Sequence, residues 1–257
     1  MSSTLFRCGP SKRRSAVNLP TIPSEVKVRR ANYTDAIETS LNMMNFVHGR
    51  LKRVLRDLAT ALEERVEGSS FPIARSISAL IDGWSMVDIA SRSSDLLRGW
   101  PGVKKRSWPQ IEAFLKSTNR VGDLRNAIQH LTGELHDFDR PEYTAWGSLE
   151  WLSRSATDQD KYRTYKLLGG SLRGGGEYGL LTTIPENPSG EVDHVVLRFR
   201  ENRLNLTALA QLSHKLHIAL QPLFQDLHRT HPATSRPVIF HADVRIDPSA
   251  PPLHLDP

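Results

Sequence analysis

The chain has 257 residues, a formal net charge of +6 and a sequence pI near 9.6, enough length for a sizeable core in one or two domains and a balance that suits an anionic partner such as nucleic acid. Its single cysteine, Cys8, excludes a disulfide framework or a cysteine-based metal site and fits a reducing, cytoplasmic setting. No apolar run is long enough to span a bilayer, and no apolar segment follows the basic N-terminal residues as a secretory signal would require, so no membrane association is expected.

Residues 1–32 carry Lys12, Arg13, Arg14, Lys27, Arg29 and Arg30 among Pro10, Pro20 and Pro23, and read as a basic disordered arm that solvation alone explains. From Tyr33 to Glu67 the stripe Ile37, Leu41, Met44, Leu51, Leu55, Leu58 and Leu62 predicts an amphipathic helix with Thr34 as its N-cap. Gly68-Ser69-Ser70 ends it. A second helix is expected from Pro72 to Leu97, carrying Ile73, Ile77, Leu80, Ile81, Trp84 and Val87. Gly99-Trp100-Pro101-Gly102 breaks the pattern, and Lys104-Lys105-Arg106 adds an exposed positive cluster. A third helix is expected from Pro109 to Leu135, relaxed near Gly122.

Between Pro141 and Arg203 the helical period gives way to alternation, as in Leu149/Trp151 and Val195/Leu197/Phe199, and Tyr162–Leu168 is rich in strand formers. Three to five antiparallel strands are expected there, with Glu201-Asn202-Arg203 as a turn. A fourth helix follows from Thr207 to Arg229, with Leu209, Leu212, Leu216, Ala219, Leu223 and Leu227 facing the core and Pro222 kinking it. Residues 233–257 hold one more candidate strand, Val238–Phe240, and a Pro-rich tail. The fold class is therefore mainly α: a helical domain over 33–232 with a small antiparallel sheet inserted at 141–203, between disordered tails.

Three constellations have simple structural explanations. Gly174-Gly175-Gly176-Glu177-Tyr178-Gly179 satisfies G-x-G-x-x-G, but the strand-like Leu180–Ile184 follows it where a dinucleotide loop needs a helix N-terminus, so it reads as a hairpin loop and no cofactor is expected. His214, His217 and His228 share one face of the fourth helix without a carboxylate or cysteine to complete a metal shell. Glu134, His136, Asp137 and Asp139 could orient a neighbouring imidazole or simply be a solvated helix end.

The chemistry concentrates in Val121–Leu131. Val121, Leu124, Ile128 and Leu131 mark one buried face, while Asn126 and His130, four apart, share the opposite face and Arg125 lies on the flank between. Arg-Asn-x-x-x-His on a helix resembles the signature of the HEPN superfamily; Arg236 and His241 have the same separation, but Pro237 and strand-like neighbours set them apart. The resemblance implies a HEPN-like four-helix bundle and a metal-independent endoribonuclease whose catalytic residues are Arg125, Asn126 and His130, acting at a composite cleft of a homodimer on RNA. It also implies a toxin or antiviral defence effector with an antitoxin or defence-system partner. The alternative is a non-catalytic HEPN-like module that binds RNA or protein. Arg125 offers a permanent charge to phosphate oxygens, His130 can move protons at neutral pH, and Asn126 can hold either the imidazole or the phosphate.

Overall fold

The computed structural model describes residues 25–64, 71–102, 108–130, 144–158, 160–170, 188 and 190–230. In chain order these form α1 (Glu25–Glu63), α2 (Ile73–Gly99), α3 (Pro109–Ser117), α4 (Val121–Gln129), β1 (Ser148–Arg154), β2 (Tyr162–Leu168), β3 (Val192–Phe199), β4 (Asn202–Asn205) and α5 (Leu206–Thr230). The chain is mainly helical, with one antiparallel sheet of order β2-β1-β3-β4 between α4 and α5. No helix among the described residues is long and apolar enough to cross a membrane. The expected strand at Val238–Phe240, the glycine loop at 174–179, Leu131 and the acidic cluster at 134–139 lie outside the described residues.

On α1 the expected stripe is the core: Ile37, Leu41, Met44, Leu51, Leu55 and Leu58 are all buried, and Leu62 is partly so. The helix begins at Glu25 rather than Tyr33, so residues 25–32, expected in the disordered arm, are helical. Thr34 is therefore not a cap. It sits inside the helix, where its hydroxyl donates to the Arg30 carbonyl at 2.9 Å and accepts the Trp100 indole N–H at 3.1 Å.

α2 forms where it is expected, and Leu80 and Trp84 pack partly buried against the core, but the three isoleucines named on it do not. Ile73, Ile77 and Ile81 are 64%, 53% and 56% exposed, and of the apolar residues named there only Val87 is buried. The inward face is instead built from small or polar residues, among them Ser76, Ala79, Gly83, Ala90, Ser93 and Ser94, with Met86 and Leu97. The cause is proximity: a Cβ added to Gly83 would lie 3.1 Å from Leu149 Cδ2, so bulk on this face would push helix and sheet apart. Asp82, also buried, is clamped by Arg50 of α1, whose Nε donates to Oδ2 at 2.9 Å and whose Nη2 contacts Oδ1.

The expected third helix is two. It breaks in a turn at Thr118–Arg120, just before Gly122, and Thr118 Oγ1 lies 3.1 Å from Ser94 Oγ of α2. The sheet shares the helices' core, with Leu149, Trp151, Leu197 and Phe199 on its inner face and Trp84 meeting Phe199 edge to face at 5.6 Å. Opposite Trp151, β3 bulges through His194 (φ 50°) and Val195. The Val195 N–H donates to Thr207 Oγ1 at 3.0 Å, and Asn205 Oδ1 accepts the Ala208 N–H at 2.9 Å, which caps α5. The β3–β4 turn is Arg200–Glu201, and Asn202 and Arg203, expected in the turn, belong to β4.

Near the end of α1, the buried Glu63 carboxylate accepts the Ser155 hydroxyl at 2.8 Å, the Ala156 N–H at 3.0 Å and the Tyr165 hydroxyl. Burial acts to raise its pKa, but these hydrogen bonds and the nearby Arg163 outweigh that and hold it below the usual range. On α5, Leu209 and Leu216 are buried as expected, joined by Leu206, Leu220 and Phe224, while Leu212, Ala219, Leu223 and Leu227 are only partly buried. Pro222 lies on an exposed side of this helix, which continues past it to Thr230.

Close approach at Gly83 makes a clear expectation. Gly83→Leu should lower unfolding free energy by about 1–3 kcal/mol through overpacking against Leu149. Gly49→Ala, on an exposed α1 site with nothing within 4 Å of the added Cβ, should instead stabilise by roughly 0.5–1 kcal/mol. Urea denaturation of both variants decides, and a Gly83→Leu protein as stable as the parent would remove the close-packing argument.

Candidate functional site

α4 is short, and it is held by what it buries. Val121 and Leu124 are fully buried and Ile128 partly so, as the periodicity requires, while Asn126 and His130 face solvent. His130 caps the C-terminal end, its backbone N–H donating to the Asn126 carbonyl at 3.0 Å. The two side chains thus project from the last turn on the side away from the core. Arg125 lies between the buried and exposed sides, as the sequence indicated, with 30% of its side chain exposed.

The partner of Arg125 had no local sequence signal. Its Nε donates at 3.0 Å to Oδ1 of Asp88 on α2, whose Oδ2 lies 2.7 Å from Arg92 Nε. One carboxylate between two guanidinium groups leaves a net positive charge. Because Nε makes this bond, the outer Nη groups of Arg125 remain for an anion, and no bond from them is seen among the described residues. Asp88 therefore fixes the arginine without consuming its fork.

Arg125 also borders an apolar groove of about 780 Å³ along α2, lined as well by Met43 and Val47 of α1, Ile128 of α4 and Trp146. Trp146, 52% exposed, is held by its backbone. Its N–H donates to the Gly169 carbonyl at 2.9 Å, and its carbonyl accepts the Trp84 indole N–H at 3.1 Å. The following Gly147 has φ +71° and would place a Cβ 2.3 Å from the Arg198 carbonyl oxygen, so only glycine serves there.

The other histidines have separate roles. His228 Nε2 contacts Glu38 Oε2 at 2.9 Å, and His217 packs edge to face on Phe224 at 5.7 Å with its pKa lowered by burial. No group of three His, Cys, Asp or Glu among the described residues is arranged to hold a metal. His48 is partly buried, and burial first, then Lys52, lower its pKa from 6.5 to about 4 against the opposing pull of Asp193. It is thus neutral at neutral pH, whereas His130 lies in the open.

Comparison with family models, curated proteins and solved structures returns no match for this chain. The site must be read from its own chemistry: a fixed guanidinium, an amide and a solvent-facing imidazole at one helix end, beside an apolar groove.

The depressed pKa of His48 sets a pH dependence of stability. The unfolded chain takes up this proton near pH 6.5 and the folded chain only near 4, so the unfolded state binds more protons between them and stability falls as pH falls. From pH 7 to 5 this group should cost about 2 kcal/mol. His48→Gln should flatten that part of the profile in urea titrations, and an unchanged slope would rule out His48 as its source.

Proposed function

We propose that the chain is a metal-independent endoribonuclease with a HEPN-like bundle, working as a homodimer. The observation that carries this reading is the outward projection of Asn126 and His130 from one helix end, next to an Arg125 whose Nε is fixed by Asp88. Packing of α4 uses the Arg125–Asp88 bond but needs neither the Asn126 nor the His130 side chain. The net charge of +6 favours a polyanionic substrate.

RNA supplies the nucleophile. The ribose 2′-oxygen attacks the adjacent phosphorus as a base takes its proton, and the bond from phosphorus to the 5′-oxygen breaks as an acid returns a proton to that oxygen. Products are a 2′,3′-cyclic phosphate and a 5′-hydroxyl. His130 takes one proton task and the second copy's His130 the other, while the Nη groups of Arg125 stabilise charge on the non-bridging oxygens. Asn126 holds the scissile phosphate or the imidazole. One imidazole cannot readily be base and acid in one step, which is why two copies are invoked. A toxin or defence role would be a use of this chemistry.

A single set of assays tests the reading. His130→Ala should lower cleavage by about 10²–10⁴ while the fold, read by circular dichroism and melting, stays intact, because the side chain is exposed. Arg125→Ala should weaken both RNA affinity and rate, and Asn126→Ala should reduce rate more than affinity. EDTA should change nothing, and a 2′-deoxy nucleotide at the cut site should block cleavage. Purified protein that binds RNA without cutting it, with His130→Ala binding equally well, would replace this reading with a non-catalytic RNA-binding module.

A further inference from the structure

The groove along α2 takes in Ile77 and Ile81, both more than half exposed, and continues to Asp88, so it follows the helix for roughly 16 Å. Its volume of about 780 Å³ lies within the roughly 300–1,000 Å³ of small-molecule sites, which pair apolar walls with a few polar groups. The polar groups along it are mostly engaged. Ser85 Oγ donates to the Ile81 carbonyl at 2.7 Å, and the Trp84 indole N–H is given to the Trp146 carbonyl. Both oxygens of Asp88 meet arginines, Oδ1 at 3.0 Å from Arg125 Nε and Oδ2 at 2.7 Å from Arg92 Nε, so this carboxylate offers little to a cation. What is left is the Nη pair of Arg125, without a bond among the described residues, and the exposed Gln129 amide.

We infer that the groove binds an aliphatic carboxylate, its chain laid along α2 and its head on the Nη pair of Arg125. Wall and charge each narrow the ligand. Apolar walls over this length suit an extended hydrocarbon chain rather than a single ring, and they give a sugar or a phosphate chain little to bond. A carboxylate presents two coplanar acceptors to two parallel N–H groups, and the bond from Nε to Asp88 holds the guanidinium ready for them. Two arginines around one carboxylate leave a surplus positive charge, which favours an anionic head over a neutral one. Arg125 is also the residue assigned to RNA phosphates, so a bound carboxylate would displace RNA; that consequence alone rests on the ribonuclease reading above.

The test uses the full chain and titration calorimetry with decanoate below its micelle-forming concentration. Decanoate should bind the parent at one site. Hexanoate should bind at least about tenfold more weakly for its shorter chain, and 1-decanol about tenfold to a hundredfold more weakly for its missing charge. Arg125→Ala should weaken decanoate to the level of 1-decanol and leave 1-decanol unchanged, which also shows that the groove is still formed. Ile81→Glu should abolish binding of both, whereas Ile218→Glu, at a site 59% exposed on α5, should alter neither. Equal affinity of the parent for decanoate and 1-decanol, or an Ile81→Glu protein that binds decanoate as the parent does, overturns the site. So does a parent that binds no decanoate, whether its groove is bare or covered by a second copy, which sedimentation of the same sample distinguishes. RNA separates the two claims. If decanoate binds as expected to a parent that neither binds nor cuts RNA, the carboxylate site stands and the ribonuclease reading falls. If decanoate-saturated protein cuts RNA as fast as the free protein, the displacement at Arg125 is overturned.

Discussion

The small side chains of α2 let it lie close to both α1 and the sheet, and the rest of the molecule depends on that approach. With Ser76, Ala79, Gly83 and Ser94 turned inward beside Met86 and Leu97, Ile73, Ile77 and Ile81 of the same helix are left outside. The Arg50–Asp82 clamp fixes this rotation. Turning α2 to bury its isoleucines would carry Asp82 away from its partner and drive bulk against Leu149. Only Asp82 of this pair is buried, so a rotation that parted it from Arg50 would leave an uncompensated buried carboxylate. The pair thus selects the face that leaves these isoleucines outside.

That rotation also places Asp88 beside Arg125. Two helices distant in sequence thereby share one carboxylate, and the guanidinium is oriented by a bond through Nε. The segment leading into the sheet contributes to the same groove. The turn between Thr144 and Gly147, closed by the Thr144 hydroxyl on the Gly147 carbonyl at 2.6 Å, holds Trp146 at the surface and ties it to α2 through the Trp84 indole. The sheet is thus part of what shapes the groove, and it shares one hydrophobic core with the helices.

Much of this was legible in the sequence where a single face decides the burial. The α1 stripe and the alternation of Leu149/Trp151 and Val195/Leu197/Phe199 both read correctly, because the large apolar side chains of these elements are the ones that fill the shared core. On α2 the same rule failed: a helix packed by small residues hides its contact face among serines, alanines and a glycine, and advertises the wrong side. The apolar period also runs unbroken through Thr118–Arg120, so the break between α3 and α4 carries no hydrophobic signal. At the candidate site, the outward placement of Asn126 and His130 and the flanking position of Arg125 follow from helical geometry alone. Asp88 does not, because its relation to Arg125 exists only after α2 has been rotated and docked.

The shortness of α4 has its own consequence. A nine-residue helix has no independent stability in water, so α4 persists through Val121, Leu124, Ile128 and the bond to Asp88. By contrast, α1 spans thirty-nine residues through the middle of the core. The chain therefore has two tiers of amide protection. The long helices exchange their hydrogens only with global unfolding, while the turn that bears His130 opens by a local route governed by its contacts with α2. Strain or charge introduced along α2 would be felt first as a change in how often that turn opens, well before the fold as a whole gives way.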